Sequence, residues 1–107
     1  MADYTIKAHD RLPTIQAKLS ADLSTAVSVA FIMRAAPPSS AGVKVNAPAV
    51  IVMATDGAVR YDWAAADTDT PGSYQAEWQV TWPGNKNQTF PTTSYHTVDV
   101  LADLDGA

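Results

Sequence analysis

Residues 73–82, SYQAEWQVTW, alternate apolar and polar side chains without a slip. Tyr74, Ala76, Trp78, Val80 and Trp82 fall on one face, and Gln75, Glu77, Gln79 and Thr81 on the other. That is the period of a β-strand with one dry side. Just upstream, DTDTPG at residues 67–72 sets a proline and a glycine where the chain turns into the strand. The stretch predicts a small β protein in which this strand carries Tyr74 and Trp78 toward the core.

Outward from this strand, short alternating or apolar runs are broken by turn residues about every 8–12 positions, the habit of an all-β sandwich. Residues 4–8 form a short strand, with a break at residues 9–13. Ile15, Ala17 and Leu19 then alternate with Thr14, Gln16 and Lys18. Over residues 26–34, Val27, Val29, Phe31 and Met33 share a face, while Ala30 and Ile32 make the other partly apolar, so this strand is central. AAPPSSAG at residues 35–42 cannot continue a ladder and is a loop. Residues 43–46 make a short edge strand, Pro48 interrupts, and residues 49–54 are an apolar β-rich run. Thr55, Asp56 and Gly57 signal a hairpin into a strand with Val59, Tyr61 and Trp63 on one face and Arg60 and Asp62 on the other. PGNK at residues 83–86 turns the chain into residues 87–90, and residues 95–101 form the last strand.

The expected fold is all-β, an Ig-like antiparallel β-sandwich of about seven or eight strands with no disulfide. Gly72, Tyr74 and Ala76 repeat the glycine, tyrosine, cysteine spacing that leads into strand F of such a sandwich, with alanine at the cysteine position. In that arrangement the tyrosine hydroxyl bonds back to the preceding corner. The expected core is Phe31, Met33, Tyr61, Trp63, Tyr74, Trp78 and Val80. Residues 13–102 form the sandwich, residues 103–107 a polar tail, and residues 1–12 either an N-terminal arm or the first edge strand. As an arm, that segment would offer Tyr4, Ile6 and Lys7 to a neighbouring subunit, with Trp82 as a further interface residue.

A chain of 107 residues with no cysteine has no disulfide framework, no thiolate nucleophile and no cysteine zinc site. The net charge of −4 and the scatter of the seven lysines and arginines argue against nucleic acid as a partner. The apolar run at residues 47–54 is too short to cross a bilayer, and the start, MADYTIKAHDR, has no signal-peptide core. The expectation is a soluble protein made in a cytoplasm, with no membrane partner.

No standard catalytic motif is present: no GxSxG elbow, no phosphate-binding glycine loop and no HExxH. His9 and His96 lie in different segments without a motif around either. Asp62, Asp67 and Asp69 could place oxygen ligands for calcium, but no turn glycine or distal glutamate completes the loop, and turn-forming roles explain them better. The chain therefore reads as non-enzymatic, with no metal and no cofactor. Trp63, Trp78 and Trp82 raise a sugar-stacking platform, which their strand period argues against, Trp82 being the best candidate for exposure.

Several segments occur in an order of their own: HDRLPTIQAKL at residues 9–19, DLS at 22–24, VAFIMR at 29–34, GAVRYDW at 57–63, DTDTPGSYQAEWQVTW at 67–82 and TFPTTSYHTVDV at 89–100. In that order the chain resembles the N-terminal domain of the bacteriophage baseplate upper protein, an Ig-like phage structural domain. It departs from the pattern in the first turn, with Thr25 where glycine is common. The resemblance implies a virion structural protein, present in multiple copies in a symmetric assembly, attached to other virion proteins at the tail or baseplate. A capsid decoration or head-tail neck protein of the same fold is the alternative, and a module binding a host surface glycan the second alternative.

Overall fold

The computed structural model describes residues 3–37, 42–64, 66–91 and 96–102. Nine strands run through them in two sheets: β1 (Tyr4–Lys7), β2 (Ile15–Lys18), β3 (Ser28–Ala35), β4 (Val43–Pro48), β5 (Val50–Met53), β6 (Ala58–Tyr61), β7 (Gly72–Trp82), β8 (Lys86–Phe90) and β9 (His96–Leu101). The larger sheet has the order β1-β9-β7-β3-β4, with β8 also pairing β7, and the smaller has the order β2-β6-β5. A 3-10 turn, Ala54–Asp56, is the one helical piece among the described residues. The chain is all-β, as the turn spacing predicts. The count exceeds seven or eight because the short segments at both margins, β1 and β4, find ladder partners.

The long alternating stretch forms β7 and organises the larger sheet. All of β3 pairs antiparallel with it, from Ser28 opposite Thr81 to Ala35 opposite Tyr74. On its other side the first half pairs with β9 and the second half with β8. The pleat then sends Tyr74, Ala76, Trp78 and Val80 inward, all buried, with Gln75, Glu77, Gln79 and Thr81 on the outer face. From β3 come Val29, Phe31 and Met33, and across the gap Ile15, Val59 and Tyr61 of the smaller sheet, with Trp63 just beyond β6.

The two sheets are joined by an aromatic cluster. The Phe31 ring stacks on Tyr61 at 4.7 Å, meets Trp63 edge-on at 5.7 Å and packs tilted against Trp78 at 5.0 Å. Rings in these offset and edge-on geometries add to the apolar burial itself. All seven residues expected in the core are buried. Trp78 is fully buried, and its indole N–H is without a hydrogen-bond partner among the described residues. The strand pattern places the ring by its apolar bulk, at the cost of that one donor.

Three expectations need correction. Val27 is 65% exposed, because the ladder of β3 starts at Ser28 and the preceding residue lies outside the pleat. The short strand expected at residues 43–46 runs on to Pro48, which closes β4 and makes the expected break; Ala49 then donates its N–H to the Val29 carbonyl and the chain crosses to β5 in the other sheet. Pairing is antiparallel with one exception, since β1 runs parallel to β9, from Tyr4 opposite Val98 to Lys7 opposite Leu101. The loop expected at residues 35–42 lies partly outside the described residues, and the tail at 103–107 wholly outside them.

The turn between β5 and β6 shows why the Asp-Gly signal works. Gly57 has φ +71°, and a Cβ there would collide with the backbone oxygens of Leu19 and Ala21. Leu19 N–H donates to the Gly57 carbonyl and Leu23 N–H to that of Ala54, so the turn also anchors the chain leaving β2. Only glycine meets both the positive φ and the close approach.

Candidate functional site

The three aspartates considered as a calcium loop are drawn to three different partners. Asp62 pairs with Arg60, which donates from Nε at 2.8 Å. Asp67 accepts from the Tyr61 hydroxyl and, at 2.8 Å, from Ala64 N–H, so it closes the turn after Trp63. Asp69 accepts from Lys44 Nζ on β4 and from the Thr70 hydroxyl. These contacts depress the Asp69 pKa, and with burial as the larger cause the bond to Asp67 raises that of Tyr61. No group of three metal-ligating side chains occurs among the described residues. Asp67 fixes the backbone of its own turn, Asp69 reaches β4 through Lys44, and Asp62 pairs with the side chain two residues before it.

The segment before β7 is held as its spacing predicts. The Tyr74 hydroxyl donates to the Thr70 carbonyl at 2.6 Å, four residues upstream, across Pro71 and Gly72. Thr68 is buried and donates to the Asp10 carbonyl, while His9 N–H donates to the Thr68 carbonyl. His9 therefore sits in a turn with positive φ, a backbone role.

His96 lies at the start of β9, beside the start of β1. Its Nδ1 is 3.8 Å from Asp3 Oδ2, and its ring meets Tyr4 edge-on at 5.4 Å. Burial lowers the His96 pKa, against the opposing pull of Asp3. Burial and the neighbouring Asp3 raise that of Tyr4, whose hydroxyl donates to the Gln16 carbonyl. Asp3 in turn accepts from Thr97 N–H, and its own N–H is bonded to Thr97. The four residues clasp β1 to β9 and to β2.

The proposed interface residues of the N-terminal segment divide by the pleat of β1. Ile6 is buried in the core, where Val100 is its register partner, and Ala8 is fully buried. This corrects Ile6 as an exposed interface residue: the alternation that suggested a pairing strand points it into the chain's own core. Lys7 is exposed and Tyr4 half-buried. Of the tryptophans, Trp63 is buried and donates Nε1–H to the Pro13 carbonyl at 3.1 Å. Trp82 is half-buried against the core margin and donates Nε1–H to Gln88 at 3.1 Å. Trp63 and Trp82 therefore do not form one exposed stacking face.

Several surface depressions carry polar groups: one of about 800 Å³ lies beside Lys44, Thr70 and Ser73 at the entry to β7, and two smaller ones lie elsewhere. One, about 360 Å³, lies on the outer face of the larger sheet, with Arg34, Gln75 and Glu77 around Ile32 and Pro37. The other, about 250 Å³, opens between β1 and β2 above Trp63. Neither brings an acid, a base and a nucleophile together among its lining residues. What the surface does offer is strand edge: β1, β2, β4, β5 and β8 each pair on one side only among the described residues. At β5, Val50, Val52 and Met53 are exposed. The sequence reads that run as apolar and β-rich, which suits a buried strand equally well, so its exposure was not legible there. Compared with protein-family models, curated proteins and solved structures, the chain matches none.

Proposed function

We propose that this chain is an Ig-like structural domain of a bacteriophage particle, akin to the N-terminal domain of the baseplate upper protein. It acts without catalysis, by attachment to other virion proteins at the tail or baseplate, in multiple copies. The observation that carries this reading is that the segments behind the resemblance are the ones that build the core and its corner. VAFIMR supplies Val29, Phe31 and Met33, GAVRYDW supplies Gly57, Val59, Tyr61 and Trp63, and the third segment supplies the Tyr74 corner and Trp78.

Strand order supports the Ig-like part. In a variable-type immunoglobulin sandwich one sheet contains B, E and D and the other G, F, C and C′. Here β2-β6-β5 parallels the first order and β9-β7-β3-β4 the second, with β1 beside β9 and β8 beside β7 as additions to it. On this reading β7 corresponds to strand F, the tyrosine corner lies at its start, and Ala76 takes the place of the cysteine. A rigid domain of this kind has no need of a cofactor, and its free edges suit attachment by strand addition.

The test is location. Gold-labelled antibody against the chain, viewed on intact particles by electron microscopy, is expected to mark the tail or baseplate. Label confined to the head or neck selects a decoration or neck protein of the same fold. Absence of the chain from purified particles overturns the reading.

A further inference from the structure

An edge strand presents unpaired N–H and C=O groups, and proteins guard such edges, often with lysine. The chain has four lysines, and each sits on a different edge strand: Lys7 on β1, Lys18 on β2, Lys44 on β4 and Lys86 on β8. The remaining edge, β5, is VIVM, and no charged residue occurs anywhere in residues 45–55. Its outward side chains are apolar, with Val50 41%, Val52 53% and Met53 52% exposed. A guard on every edge but one marks that one for pairing.

We propose that β5 is a self-association edge, at which two copies of the chain pair β5 antiparallel to β5 about a twofold axis. The two three-stranded sheets then become one six-stranded sheet. Three features favour a second copy as occupant. A twofold antiparallel pair lays an uncharged segment on itself, so no charge enters the joint, whereas each of the other edges would carry a lysine into it. Arg60 lies opposite Val50 at one end of β5, and Asp56 follows the other end. Antiparallel pairing sets the arginine of one copy and the aspartate of the other at the same end of the joint sheet. The third feature is the smallness of the edge: a register shift between Ile51 and Met53, followed by the 3-10 turn, keeps it short. So short a patch falls below the ~1,200 Å² of a stable interface, which makes the dimer weak and reversible, as suits copies already held close in an assembly. The pairing is a property of the isolated chain and stands apart from where the protein resides.

Sedimentation velocity of the purified chain from about 10 μM to about 1 mM tests it. A reversible monomer–dimer equilibrium is expected, tighter at about 0.5 M than at about 0.05 M salt, because screening weakens the repulsion between copies of net charge −4. Val52→Lys should raise the dissociation constant at least about tenfold with the melting temperature unchanged, and Met53→Lys should do the same. Val43→Lys, on the β4 edge, should leave association as it was. Amide exchange at residues 50–53 reads the same edge without a substitution, with protection expected to rise with protein concentration. A chain that stays monomeric at the highest concentration overturns the proposal. So does a dimer that survives both β5 lysines, one broken by Val43→Lys instead, or exchange at residues 50–53 that is independent of concentration.

Discussion

Trp78 shows how a single residue can be placed correctly by period alone and still surprise. Its position at the centre of an alternating run sends it inward, and full burial against Phe31 follows. Trp78→Ala removes the largest of the fully buried side chains and is expected to cost roughly 3–5 kcal/mol in urea unfolding. A loss below about 1 kcal/mol would mean that the cavity collapses around a core that never depended on the ring. The unpartnered indole N–H lay beyond the reach of sequence, because partner supply depends on side chains from other strands. Tyr74 is the opposite case, since its polar partner was legible from the glycine and tyrosine spacing. Tyr74→Phe should cost about 1 kcal/mol through loss of the bond to the Thr70 carbonyl, and an unchanged unfolding midpoint would show the bond to be neutral.

Among the elements, β1 departs most from the arm that its position suggested. Its four residues pair in parallel register with β9, Ile6 and Ala8 enter the core, and Asp3, Tyr4, Thr97 and His96 form a clasp around it. Removal of residues 2–8 is therefore expected to lower the melting temperature by more than about 10 °C, given roughly 4–8 °C per kcal/mol for a domain near this size. A truncated chain melting within a few degrees of the intact one would restore the arm. A strand this short cannot be assigned from its own residues. Four alternating positions suit an internal edge and an external arm equally, and the choice rests on whether β9 is free to receive it.

At the scale of the whole molecule, the perturbed groups set how stability follows pH. The His96 pKa is held below 6.5 in the folded chain, chiefly by burial, so the unfolded chain takes up this proton first as pH falls. Stability is full above that value and drops as pH passes from 6.5 down through the lower folded pKa. Asp22, held down by its bonds from Ser24, and Asp69, held down by Lys44 and Thr70, give a second loss below 3.8. On the alkaline side Tyr61 and Tyr4 are raised above 10.0, so stability declines once the unfolded tyrosines ionise. Urea midpoints should fall between about pH 7.5 and about pH 5, and His96→Gln should flatten that first step. Equal midpoints for the native chain across this range would rule out His96 as its source.

The sequence by itself determined that the chain is all-β, which face of β3, β6 and β7 is dry, the glycine turn before β6 and the tyrosine bond before β7. Each of these is written in a local period or a fixed spacing, and side-chain alternation along a strand needs no knowledge of its neighbours. Tertiary structure alone decided that β1 runs parallel to β9, that the chain changes sheet after Pro48, that each aspartate finds a separate partner and that β5 is left at an edge with its valines in water. Those outcomes depend on which strand lies beside which. An apolar run reads the same whether a second strand covers it or solvent does, so the exposed edge at β5 came into view only with the sheet order.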